Sequence, residues 1–151
     1  MAKAGNTHQA NERRILRKYL ARYYRAKQKR GILERRLQSL RADLPGKGGF
    51  MPPCPVEELA PEIEAKIRQQ TEAAEKSVLE IINILELLPA ESTERTILEL
   101  RHIDCKTWAE IERTVYLTRT PCAKYYNRGL DALLRMSKVR QILGLEEKAG
   151  G

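Results

Sequence analysis

At 151 residues the chain has room for one domain with a proper core, or for two small units. Its net charge of +8 and pI near 9.6 favour a polyanionic partner such as nucleic acid. With no apolar run near the roughly 20 residues of a membrane helix and no apolar N-terminal signal core, no membrane partner is expected. Cys54, Cys105 and Cys122 are widely separated and form no CxxC pair. With only His8 and His102 as other soft ligands, no disulfide scaffold, metal or cofactor site is expected, and a reducing cytoplasm is the natural setting. No nucleophile sits beside a base and no carboxylate pair has a motif around it, so enzymatic chemistry is not expected either.

Charge is unevenly spread. Residues 1–44 carry 13 Lys/Arg against 3 Asp/Glu, a surplus of +10; residues 45–92 carry −5 and residues 93–151 carry +3. Residues 1–11 read as a disordered N-terminus. From Leu16, positions 16, 19, 23, 26, 30, 33, 37, 40 and 44 step by threes and fours and are apolar except for Arg30. That spacing is the mark of a coiled-coil seam, and Gly31 is a local weak point in it. The basic run from Arg13 to Arg36 reads as a solvated flank answering an acidic partner helix, with phosphate gripping as the competing role.

Pro45 to Pro61 holds five prolines and three glycines and reads as a loop. Its Gly46-Lys47-Gly48-Gly49 lacks the spacing of a phosphate-cradling loop. A second seam follows through Ile63, Ile67, Gln70, Ala74, Ser77, Ile81, Ile84 and Leu88, widened by Val78, Ile82 and Leu85. At 1.5 Å per residue both helices are roughly 40 Å long, so residues 12–88 are expected to form an antiparallel helical hairpin. The same seams also permit pairing between two chains, which makes a homo-oligomer through the hairpin a second arrangement.

Residues 89–137 read as a compact helix-turn-helix domain, and 138–151 as a flexible tail. Pro89 closes the second long helix. A short amphipathic helix spans about Thr93–His102, whose last residue suits a helix C-terminus as a cation. Thr107-Trp108-Ala109-Glu110 is a capping box that starts the next helix at Thr107. Counting Trp108 as one, apolar residues fall at the fourth, eighth, tenth, fifteenth and eighteenth places: Ile111, Val115, Leu117, Cys122 and Tyr125. This is the frame in which a helix-turn-helix buries its two short helices. The last helix should run from about Pro121 to Ser137, with Thr120 as its N-cap and Pro121 first in the helix. Tyr125 and Tyr126 read as core and boundary residues and Cys122 as a small hydrophobe.

The run Thr93-Glu-Arg-Thr-Ile-Leu-Glu-Leu-Arg-His-Ile, then Lys106-Thr-Trp-Ala-Glu-Ile, resembles region four of bacterial sigma factors. Arg128-Gly129-Leu130-Asp131-Ala132-Leu133-Leu134 is similar to that region's close. With Gly46-Lys-Gly-Gly-Phe-Met-Pro-Pro in the loop, the layout of residues 15–136 resembles phage and prophage proteins related to the ArpU and RinA late-gene activators. The resemblance implies an all-α protein in which a long helical hairpin precedes a sigma-region-four-like helix-turn-helix. It also implies a regulator of phage genes that works in the bacterial host cytoplasm, binds double-stranded DNA and meets host RNA polymerase.

By the same analogy Thr118 is the cap of the recognition helix, and the residues facing DNA are Arg119, Thr120, Ala123, Lys124, Asn127 and, at the flank, Arg128. Lys124 is suited to guanine and Asn127 to adenine. Trp108 would pack beneath the motif. Two places depart from the pattern: Glu112 stands where a small residue is usual, and Tyr116 where glycine is. These departures favour a rival reading, a protein-interaction module docking on polymerase without reading DNA. A small-terminase-like packaging protein, ringed through its hairpin, is the other alternative.

Overall fold

The computed structural model describes residues 2–42 and 56–145, and all regular structure among them is helical. The helices are α1 (Ala2–Leu20), α2 (Arg22–Ala42), α3 (Val56–Leu85), α4 (Thr93–His102), α5 (Trp108–Val115), α6 (Arg119–Leu134) and α7 (Ser137–Leu143). Among these residues, 2–22 with 78–145 form one compact unit, here the head, and 23–42 with 56–77 form another.

The second unit holds most of the expected hairpin. Arg41, near the end of α2, lies 3.4 Å from Glu64, near the start of α3, and Leu37 and Gln38 share a groove with Ile67 and Arg68. The two segments therefore run in opposite directions. Its interior is thin: Ala26, Leu37, Ala60 and Ala74 are buried, whereas Ile63, Ile67 and Gln70 of the expected seam are half-buried. Leu44, Cys54 and the Gly-rich stretch lie outside the described residues.

Three sequence-based boundaries are corrected. Helix α3 starts at Val56, so the last residues of the loop expected over 45–61 are helical. Glu57 and Glu58 suit the positive end of that helix, and Pro61 lies exposed near its start, where it removes one ladder N–H. Residues 2–11, expected to be disordered, belong to α1, and residues 138–143, expected in a flexible tail, belong to α7 (Ser137–Leu143), with Val139 fully buried. The first long helix is interrupted at Ala21, and Gly31 stays within α2.

Helix α1 belongs to the head. Leu16 and Leu20 are completely buried there, and Leu20 is off the predicted seam, because α1 packs on α6 and α7. Arg13 makes a bidentate ion pair with Asp131 (2.7 and 2.6 Å), and Arg140 makes one with Glu12 (3.1 and 2.9 Å). The end of α3 adds Ile81, Ile84 and Leu85 to the same core, and Leu88 follows from the link to α4. Hairpin and head are thus not divided at residue 88. All eleven of the largest fully buried side chains belong to the head. Each aliphatic one contributes about 1.5–3 kcal/mol by leaving water.

Helix α6 is the centre of the head, with α4 and α1 against it and α5 and α7 at its two ends. A side chain at Gly129 would place its Cβ 2.7 Å from Leu98 Cδ1 and 3.2 Å from Glu94 Cβ, so the absence of one is what lets α4 and α6 approach so closely.

Candidate nucleic-acid interface

Helix α5 begins as the sequence predicts. The Glu110 N–H donates to Thr107 Oγ1 (3.2 Å), and the Thr107 N–H donates to Glu110 Oε1 (2.9 Å), completing the capping box. The Glu110 carboxyl is held below its ordinary range chiefly by that backbone donor. Trp108 is half-buried and meets Tyr126 edge-on, with ring centres 5.1 Å apart, while the Arg101 guanidinium lies 5.0 Å from its ring centre.

The link from α5 to α6 is three residues long. Tyr116 closes α5 in the left-handed region (φ 57°, ψ 42°), and its N–H and that of Leu117 both donate to the Glu112 carbonyl. This is the conformation glycine would supply at that place. For a tyrosine it costs about 1–2 kcal/mol. Glu112 itself is half-buried, and its charge, second to burial, pushes the Cys122 thiol above its ordinary value.

The start of α6 corrects the expected cap. Thr118 is the N-cap, with no side-chain hydrogen bond, and Arg119 is the first helical residue. Pro121 then falls third in the helix, where its missing N–H would have had no partner in the ladder. The Thr118 carbonyl accepts the first ladder bond from the Cys122 N–H at 3.1 Å.

Over its first two turns α6 has two distinct sides. Cys122 and Tyr126 are buried, and Arg119, Thr120, Ala123 and Lys124 are exposed. Asn127 is half-buried at the margin of that exposed face. Beyond it the helix is embedded, since Gly129, Leu130, Leu133 and Leu134 are buried and Asp131 is held by Arg13. Five of the six predicted residues are therefore brought together on the free half of the helix. Arg128 turns aside, 3.9 Å from Glu94 and over the Tyr125 ring at 5.3 Å.

The buried aromatic is Tyr126, not Tyr125, which is half-buried. Tyr126 takes the interior place because its hydroxyl has a partner there: His102 Nε2, 2.8 Å away. Burial, with Arg101 as a second cause, pushes the His102 pKa down to about 4, so the ring is neutral near pH 7. It therefore does not serve α4 as the terminal cation that the sequence suggests. Burial likewise raises Tyr126 to about 12.

Sequence reasoning passed over two cations, one just before α5 and one on it. Lys106 and Arg113, with Glu110 and Thr114, line an open notch of about 250 Å³ on its outer face. Their place on and just before the helix that precedes α6, the part of a helix-turn-helix that crosses phosphates, was the available signal. Among the described residues no group of His, Cys, Asp and Glu is arranged to hold a metal ion, and no helix is long and apolar enough to cross a membrane. No protein-family model, curated protein or solved structure matches the chain.

Proposed function

We propose that the head binds double-stranded DNA and that the protein is a transcription regulator of phage type, a late-gene activator acting in the bacterial host cytoplasm together with RNA polymerase. One observation carries the reading: the first half of α6 is anchored on one side by Cys122 and Tyr126 and leaves Arg119, Thr120, Ala123 and Lys124 open on the other. A helix-turn-helix enters the major groove by the start of its second helix, and that is the part of α6 left uncovered. Lys106, just before α5, and Arg113 on it supply phosphate contacts beside it.

Binding of the full-length protein to its native upstream DNA, measured by anisotropy at two salt concentrations, tests this. Affinity should fall steeply with salt as counterions are released. Lys124→Ala should weaken target binding more than binding to a random duplex. No binding at low salt, together with capture of purified RNA polymerase, would replace DNA reading with protein docking. A mass of eight or more subunits by light scattering would favour the packaging role.

A further inference from the structure

Tyr116 is the most exposed of the large hydrophobic side chains, at 92% of its full surface, and it sits in left-handed backbone. Among the described residues only backbone hydrogen bonds to the Glu112 carbonyl support that conformation, and no side-chain contact of the ring does. The ring meets no other ring, and the hydroxyl has no hydrogen-bond partner among the described residues. Cys105, the other non-glycine residue with positive φ among the described residues, differs: it is half-buried in the link between α4 and α5.

The backbone that carries Tyr116 is fixed on both sides. Two N–H groups lock it to the Glu112 carbonyl, and Leu117 turns inward behind it. The phenol is thus held out from the surface on a rigid support, so little further backbone order is lost when something meets it.

The neighbouring chemistry narrows what that partner is. Exposed Arg113, Thr114, Thr118, Arg119 and Thr120 flank Tyr116 in sequence, giving two cations and three hydroxyls, of which that of Thr114 donates to the Glu110 carbonyl. Of the two nearby carboxylates, Glu110 is engaged in the capping box and Glu112 is half-buried. An anionic ligand with apolar patches fits this setting. A sugar-phosphate strand offers both, acceptor oxygens for the phenol O–H and the deoxyribose face for the ring.

We infer that Tyr116 is a DNA-backbone contact, its O–H donating to a phosphate oxygen while its ring lies against the adjacent sugar. The inference rests on the DNA-binding reading above. The contact sets the depth and register of α6 without reading bases, since phosphate and sugar contacts carry no direct sequence information.

The experiment uses full-length protein with Tyr116→Gly and Tyr116→Phe, and labelled target and random duplexes of equal length at two salt concentrations. Tyr116→Gly should melt at a higher temperature than the wild type, yet bind both duplexes about three- to tenfold more weakly. The dependence of affinity on salt should hardly change, because no charge is removed. Tyr116→Phe should lie between the two. Nitration by tetranitromethane should modify Tyr116 in the free protein and be suppressed by duplex. Unchanged affinity in Tyr116→Gly, with nitration undiminished on DNA that the wild type still binds, overturns the contact and leaves DNA binding standing. Loss on the target duplex alone overturns the backbone role in favour of base reading. Failure of the wild type to bind either duplex at low salt removes the DNA reading, and this contact with it.

Discussion

The imidazole of His102 and the hydroxyl of Tyr126 share a hydrogen bond of 2.8 Å inside the head, joining the last residue of α4 to the middle of α6. Trp108 closes on the same tyrosine from α5. One buried polar pair thus lies where all three helices of the candidate DNA-binding motif meet.

That pair gives the head a defined response to pH. The folded pKa of His102 is about 4, below the ordinary 6.5, so between those values the unfolded chain holds a proton that the folded protein does not. Stability should therefore fall as pH drops from about 6.5 towards 4, by on the order of 3 kcal/mol in all. Below about 4.5 Glu12 adds to the loss, because its pKa is lowered first by its hydrogen bond to Arg140. Urea unfolding at stepped pH should show the slope, and His102→Gln should flatten it between 6.5 and 4.5. An equal slope in that variant would sink the assignment.

Gly129→Ala should destabilise the protein, by about 1–3 kcal/mol. Helix propensity alone argues the reverse, a gain of about 1 kcal/mol. The added methyl would strike Leu98, which has no exposed surface to retreat into, and would crowd Glu94. Chemical denaturation decides the sign, and a stabilised variant would mean that α4 and α6 are less closely packed than described.

Much of the motif was legible because its signals are local. Thr107 with Glu110 starts α5 within four residues of sequence. The residues of the open face of α6 came from the resemblance to sigma region four, not from periodicity along the helix. What escaped was set by distant partners. Nothing near Arg13 shows that it will pair with Asp131, 118 residues away, so α1 read as the flank of a coiled coil. Tyr125 and Tyr126 are indistinguishable by type, and the choice between them depends on His102, on another helix.

Asp131→Ala should cost about 1–3 kcal/mol, since it leaves the half-buried Arg13 without its bidentate partner. Arg13→Ala paired with it should cost less than the sum of the two single changes. Hydrogen exchange in α1 should rise in each variant. Unchanged protection there would mean that Leu16 and Leu20 alone hold the helix in place.

Thr107→Ala should cost about 1 kcal/mol by opening one half of the capping box. Thr107→Ser should retain most of the stability. Thermal melts of the two variants compare directly, and equal loss in both would assign the effect to something other than the hydroxyl.

The ion pairs that fasten α1 span 118 and 128 residues of sequence. During translation, at roughly 5–20 residues per second, α1 therefore leaves the ribosome several seconds before α6 and α7 exist to receive it. Its leucines wait in water, or in the care of a chaperone, while the intervening helices assemble. Closing so long a loop also slows refolding, which makes the nascent chain, more than the finished protein, the stage most open to aggregation and proteolysis.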